Sequence, residues 1–243
     1  MEYHYKQNFL IGYGEVDEHN RLRISSLLNF LQNIATLHSK ELGYGTTACL
    51  EKKIGWVLLS WHIRFFYYPQ GDTNLVVKTW SRKLKGYHAF RTYQVEDESG
   101  KIVAEADSMW TLISLETGRP IRISEEMSNL YGEIDKNFFE EERVKIEIPA
   151  EHDNVIDLKI LRRDIDTNKH CNNTKYIEFA LESIPQEVYD NKKVKELEIL
   201  YKKSVVYGNK IEVSCTNVAE NEFVNVIKKE NGEIATIIKT KWE

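Results

Sequence analysis

No apolar run in this sequence approaches the roughly 18 residues that a bilayer-spanning helix requires, so no membrane span is expected. The opening, Met1-Glu2-Tyr3-His4-Tyr5-Lys6, lacks the basic-then-apolar order of a secretory signal and the Arg/Ser richness of a transit peptide; the chain is expected to stay in the cytoplasm. Cysteine is scarce. Cys49, Cys171 and Cys215 are an odd number with no CxxC spacing, which excludes a disulfide framework and a zinc knuckle and fits a reducing compartment. Basic charge is not in excess: the net charge is −5, so the surface as a whole is not built for a polyanion and no nucleic-acid partner is expected. There is no GxSxG elbow, Walker loop, GxGxxG or HExxH. His4 and His19 have no cysteine or carboxylate at metal spacing, so neither a metal nor a cofactor is expected.

What is present is aromatic residues in alternating runs and a sequence that repeats itself. The 13 Tyr, 9 Phe and 5 Trp favour sheet. Laying Asp17 over Asp166 aligns Asp17 through Gln32 with Asp166 through Leu181 without gaps. Each copy is a polar turn leading into apolar residues at helical spacing: Leu27, Leu31, Ile34, Ala35, His38 and Leu42 in the first, Tyr176, Ile177, Ala180, Leu181 and Ile184 in the second. Ser25 or Ser26, and Asn172 or Asn173, are the expected N-caps; Gly43 and Pro185 are the expected stops. Alternating strands follow each helix. The hairpin signals Asp97-Glu98-Ser99-Gly100 and Glu230-Asn231-Gly232 each lead into a strand closed by Trp110 or Trp242. Each half is therefore a strand, one long helix and several antiparallel strands, with the helix laid on one sheet face. The junction falls within Glu133 to Asp153, where the alternation of Val144 through Ile148 predicts a strand.

The two copies differ where chemistry could sit. At the entrance to the second helix stand Asp166, Asn168 and His170; the first copy keeps Asp17 but has His19 and Arg21. A polar turn before a helix N-terminus offers backbone N–H groups to a developing oxyanion. His170 has a ring suited to proton transfer near neutral pH, Asn168 can orient a water or carbonyl, and Asp166 can hold either of them. The same residues also serve as turn formers and N-caps, so their spacing alone leaves a purely structural role open. Cys171, beside His170, reads as a buried cysteine rather than a nucleophile.

The stretch Asp164-Ile165-Asp166-Thr167-Asn168-Lys169-His170-Cys171-Asn172-Asn173-Thr174-Lys175-Tyr176-Ile177 resembles the DxNxHxNNxxYI signature of the acyl–acyl carrier protein (acyl-ACP) thioesterase family of plant plastids and bacteria. Trp56-Val57-Leu58, Tyr68-Pro69, Gly71-Asp72-Thr73, Trp80, Trp110, Leu115-Glu116-Thr117 and Arg119-Pro120 resemble its first-half signature, so the likeness covers nearly the whole chain. The resemblance implies an α+β tandem hot-dog fold, each half an antiparallel sheet wrapped around one long helix. Residues 1–140 would bind the acyl chain and residues 141–243 would carry catalysis. It further implies hydrolysis of fatty acyl-ACP to free fatty acid, ending chain elongation, with Asp166, Asn168 and His170 catalytic.

One departure stands out. After Tyr201-Lys202-Lys203 the plant enzymes carry a Glu and a Cys, where this chain has Ser204 and Val205. A cysteine nucleophile is thereby excluded there, Glu198 is the nearby carboxylate that could substitute, and Ser204 is kept as a candidate for holding water. Leu28, Leu31, Ile34 and Ala35, with Trp56, Val57 and Leu58, are the expected walls of an apolar slot, although each also suits an ordinary core. The expected partner is acyl carrier protein, met through Arg162-Arg163 and Lys202-Lys203, by a monomer or homodimer. An acyl-coenzyme A thioesterase, a non-catalytic lipid sensor and a hot-dog dehydratase are the rival readings.

Overall fold

A computed structural model describes residues 3–140 and 143–243. The chain forms two compact units, one of residues 1–59 and 65–143, the other of residues 60–64 and 144–243. The boundary expected between 140 and 141 abuts residues 141 and 142, which lie outside the described residues, as do Met1 and Glu2. None of the described helices is long and apolar enough to cross a membrane.

In the first unit, β1 (Tyr5–Leu10) precedes α1 (Ile24–Glu41), α2 (Thr46–Glu51), β2 (Ile54–Phe65), β3 (Asn74–Lys85), β4 (His88–Asp97), β5 (Ile102–Ser114) and α3 (Glu125–Tyr131). Its strands lie in the order β1-β3-β4-β5-β2. The helix α1 forms because Leu27, Leu28, Leu31, Ile34 and Ala35 recur on one face with no glycine or proline among them, and all are buried against the sheet. Each fully buried Leu or Ile contributes about 1.5–3 kcal/mol. Gly43, at φ 79°, ends the helix as expected, and its N–H donates to the Lys40 carbonyl at 3.1 Å. The cap lies elsewhere than expected. The helix starts at Ile24, because extended Arg23 is fixed by its N–H bond to the Glu15 carbonyl, and Ser25 and Ser26 are buried in the first turn.

The second unit repeats this plan with β6 (Asn154–Lys159), α4 (Lys175–Leu181), α5 (Gln186–Asn191), β7 (Val194–Tyr201), β8 (Lys210–Ala219), β9 (Glu222–Lys229) and β10 (Ile234–Trp242). Its strand order is β6-β8-β9-β10-β7, which matches the first unit's β1-β3-β4-β5-β2 element for element, and Ser60 through Arg64 pair with β7. The repeat extends to single bonds. The offset that lays Asp17 on Asp166 also lays β1 on β6, and the 3₁₀ turn Tyr13–Glu15 on Arg162–Asp164. The hairpins match too: Gly100 and Gly232 have φ 84° and 80°, and their N–H groups bond to the carbonyls of Asp97 and Lys229. Even the closing indoles agree, Trp110 Nε1 donating to Ser108 Oγ at 2.8 Å and Trp242 Nε1 to Thr240 Oγ1 at 2.9 Å.

Two expectations are corrected. The second helix is short: α4 has seven residues, and Pro185 separates it from α5. Val144 through Ile148 form no strand, because this segment lies on the sheet face rather than at an edge. Ile146 packs against Val224, Val226 and Ile237, so the alternation serves side-chain packing and not a hydrogen-bonded ladder.

Candidate active site

The turn Asp166–His170 is built by local chemistry. Asp166 Oδ1 accepts the N–H of Asn168 at 2.8 Å and of His170 at 3.2 Å, while the Asp166 N–H donates to the His170 carbonyl at 2.8 Å. Lys169 takes the left-handed conformation at φ 63° that closes so tight a turn, and Ile165 bridges Cys171 across its base. The first unit repeats every feature: Asp17 Oδ1 accepts from His19 and Arg21 N–H, Asn20 has φ 58°, and Val16 bridges Leu22.

The side chains part company. In the first unit Arg21 is locked back onto Asp17, Nε to Oδ2 at 3.0 Å and Nη2 at 2.9 Å. In the second, Asn168 and His170 are exposed, and neither side chain has a hydrogen-bond partner among the described residues. Asp166 thus holds the backbone of the other two residues, not their side chains. Behind the turn, the Cys171 N–H donates to the Val205 carbonyl at 2.8 Å, Val205 N–H to Tyr176 Oη at 3.2 Å, and Tyr201 Oη to the Asn173 carbonyl at 2.9 Å. Asn172 Oδ1 accepts from Thr174 N–H and Oγ1, both at 3.0 Å, so it braces the approach to α4 while Thr174 takes the cap position. The half-buried Asn173 N–H has no acceptor among the described residues.

Cys171 is 3% exposed, and burial, then the carboxylates of Asp164 and Asp166, push its thiol up to about 12. A thiol so hard to ionise is a poor nucleophile at neutral pH. Cys171→Ala should therefore keep hydrolysis within about threefold, since it removes neither a positioned acid nor a base. Loss of turnover, or an acyl group trapped on Cys171 in a quenched reaction, would defeat that reading.

Residues 2–131 match the acyl-ACP thioesterase N-terminal domain, and residues 148–243 its C-terminal domain. The chain belongs to the acyl-ACP thioesterase family. An oleoyl-acyl carrier protein thioesterase 2 of Arabidopsis thaliana is 28% identical over 94% of this chain and 67% of its own length. A dodecanoyl-[acyl-carrier-protein] hydrolase of Cinnamomum camphora is 26% identical over 98% of this chain and 67% of its own. The chain thus spans about two thirds of the length of these plant relatives. The crystal structure of an acyl-ACP thioesterase from Bacteroides thetaiotaomicron superposes with a TM-score of 0.90 at 28% identity, covering 98% of this chain and 97% of that one. The 12:0-ACP thioesterase from Umbellularia californica, at 21% identity and TM-score 0.86, shares the fold. These likenesses make the two units a tandem pair of hot dogs and the chain a thioester hydrolase.

Within this acyl-ACP thioesterase, Ser204 is exposed and makes no side-chain bond among the described residues. Val205, where the resemblance places the plant cysteine, is fully buried and anchors the loop behind the turn. Glu198 does not replace the missing glutamate. It shares a face of β7 with Leu200, opposite the face on which Tyr201 meets Asn173. Instead Glu198 joins Glu196 and His62 in a trio that sequence reading missed, because His62 lies far off in the chain. His62 Nε2 is 2.6 Å from Glu196 and 4.0 Å from Glu198, close enough for a metal-binding set. Arg64 stands 3.9 Å from Glu196, and both carboxylates act on Lys239, so the trio is already part of a cationic network on the outer sheet face.

The expected slot walls divide. Leu28, Leu31 and Ile34 have no exposure, and Ala35 and Leu58 are buried. Trp56 is half-buried, and Val57 is 37% exposed on the alternate face of β2.

Proposed function

We propose that this chain hydrolyses fatty acyl-ACP by direct attack of water at the Asp166–His170 turn. The observation that carries the reading is the divergence of two turns with one backbone: the first is tied shut by Arg21, and the second presents an unbound amide and an unbound imidazole. In this mechanism Asn168 positions the water and His170 takes its proton as the oxygen attacks the thioester carbon. The carbonyl oxygen gains charge against the Asn173 N–H, a single donor rather than a long helix dipole, since α4 has only seven residues. Collapse breaks the C–S bond, the proton from His170 goes to the leaving thiolate, and free fatty acid departs. Asp166 holds the turn, and the Ser204 hydroxyl is a further water ligand. The acyl chain would lie in the first unit along Leu28, Leu31, Ile34 and Ala35, with Trp56 and Leu58 from β2. Val57, on the other face, is left out of that wall. The free, buried cysteines support a reducing compartment, the cytoplasm in this reading.

Docking of the carrier protein falls to basic residues close to the turn in sequence, Arg162 before it and Lys202 and Lys203 at the end of β7, where they edge the outer sheet face. Arg162 lies 4.8 Å from the exposed Tyr207 ring, and exposed Lys202 and Lys203 line a groove of ≈ 510 Å³ floored by Ile146, Leu200 and Ile237. Such a surface suits an acidic partner with apolar side chains. Reversing Arg162 and Lys202 to Glu should lower the ratio of carrier-protein to coenzyme A thioester turnover about tenfold and flatten its salt dependence. An unchanged ratio would place the dock elsewhere. The reading as a whole is tested by free-acid release from a panel of acyl-ACP thioesters. Binding without release of thiol would make the chain a lipid sensor instead.

A further inference from the structure

Among the described residues, the first unit holds a buried cation without a counter-charge. On α1 the apolar stripe Leu31, Ile34 and Ala35 gives way one turn later to His38, also buried. Facing it from β4 is Arg91, only 7% exposed. Its Nη1 donates to His38 Nδ1 at 3.0 Å and to Thr79 Oγ1 at 3.2 Å, both neutral acceptors. Burial, then the Arg91 charge, carries His38 down to about 3, so the imidazole stays neutral and its Nε2 holds the ring proton. Arg91 has no ion pair among the described residues, and its guanidinium carbon lies 6.0 Å from the ring of Tyr131, whose phenol is held protonated by burial. Asp107 cannot serve. It lies one residue out of phase, on the opposite face, where Thr92 donates to it at 2.7 Å and Arg82 acts on it. Directly across the ladder from Arg91, Ser81 is 1% exposed and its Oγ has no partner among the described residues.

A buried guanidinium normally has an anion beside it, because an unpaired charge in the interior is strongly unfavourable. Among the described residues, Nε and Nη2 of Arg91 and Nε2–H of His38 make no hydrogen bond, and the Ser81 hydroxyl is both unpartnered and sealed from solvent. They form a donor-rich, positively charged cluster, and its chemical complement is a carboxylate held by the guanidinium fork. The cluster also sits at the end of the helix face that carries the acyl-wall residues. We propose that Arg91, His38 and Ser81 form a buried carboxylate site that receives the far end of an acyl chain bearing an ω-carboxyl group. This rests on the reading of the first unit as the acyl-binding half.

The test compares thioesters of equal chain length ending in methyl or in carboxylate, together with titration of a free long-chain diacid, the matching monoacid and acetate. The wild type should turn over the ω-carboxyl thioester at least about tenfold better in kcat/KM than the methyl-ended one. Arg91→Met should collapse that ratio to one or below, and Arg91→Lys and Ser81→Ala should fall between. A wild type with no preference for the ω-carboxyl chain overturns the proposal. So does an equal loss on both substrates in every variant that still folds by its melting curve. Acetate binding as tightly as the diacid would show a small-anion site and overturn the acyl-end assignment. Should no thioester be hydrolysed at all, the thioesterase reading fails by itself. The carboxylate site is then decided by whether the diacid, and not the monoacid, binds the wild type and loses affinity in Ser81→Ala.

Discussion

Replacing His170 with Ala is expected to lower acyl-ACP hydrolysis by at least about 10²-fold while leaving the fold intact, the ordinary loss when a positioned acid or base is removed. The imidazole is exposed and bonded to nothing among the described residues, so its removal costs no packing and no internal hydrogen bond. The turn survives, because it depends on the His170 backbone, whose N–H and carbonyl bond to Asp166. Asn168→Ala should behave alike for the same reason. The measurement is single-turnover release of free acid beside a thermal melt. Near-normal turnover in the His170 variant would remove this residue from the mechanism, and a collapsed melt would mean that its side chain has a structural role the geometry does not show.

The second large effect comes from Asp166, and the duplication supplies its own control. Asp17 and Asp166 hold the same turn through the same pair of backbone N–H groups. Asp17→Ala and Asp166→Ala should each cost about 1–2 kcal/mol of stability, the price of orphaned turn amides. Asp17→Ala also frees Arg21, so it should be at least as destabilising. Only Asp166→Ala should also lower turnover by about 10² or more, because it lets the residues bearing the acid–base group and the water ligand drift. Equal activity losses in the two variants would mean that the effect is one of stability alone.

Much of this architecture is written locally. The tight turns need an Asp followed by residues that tolerate a left-handed step, and the hairpins need a glycine at positive φ; both signals lie within a few residues of chain. The helix stripe of α1 and its Gly43 stop are likewise local, and so is the matching of the two halves. The weaker local signals misled. Ser25 and Ser26 are good caps in isolation, but the bond between Arg23 and Glu15 starts the helix earlier. The alternation of Val144 through Ile148 has a strand's period yet no neighbouring strand with which to pair.

By itself, then, the sequence determined the repeat, the leading helix of each half with the antiparallel strands after it, and the turn that holds Asp166, Asn168 and His170, because each is encoded by residues close enough to bond to one another. Only the tertiary structure decided that Glu198 faces away from that turn and toward His62, that Val205 braces it, and that Arg91 lies buried against His38 with no carboxylate among the described residues beside it. Those relations depend on sheet register and on which face of a strand meets the helix. Contacts made across tens of residues leave no mark in local spacing.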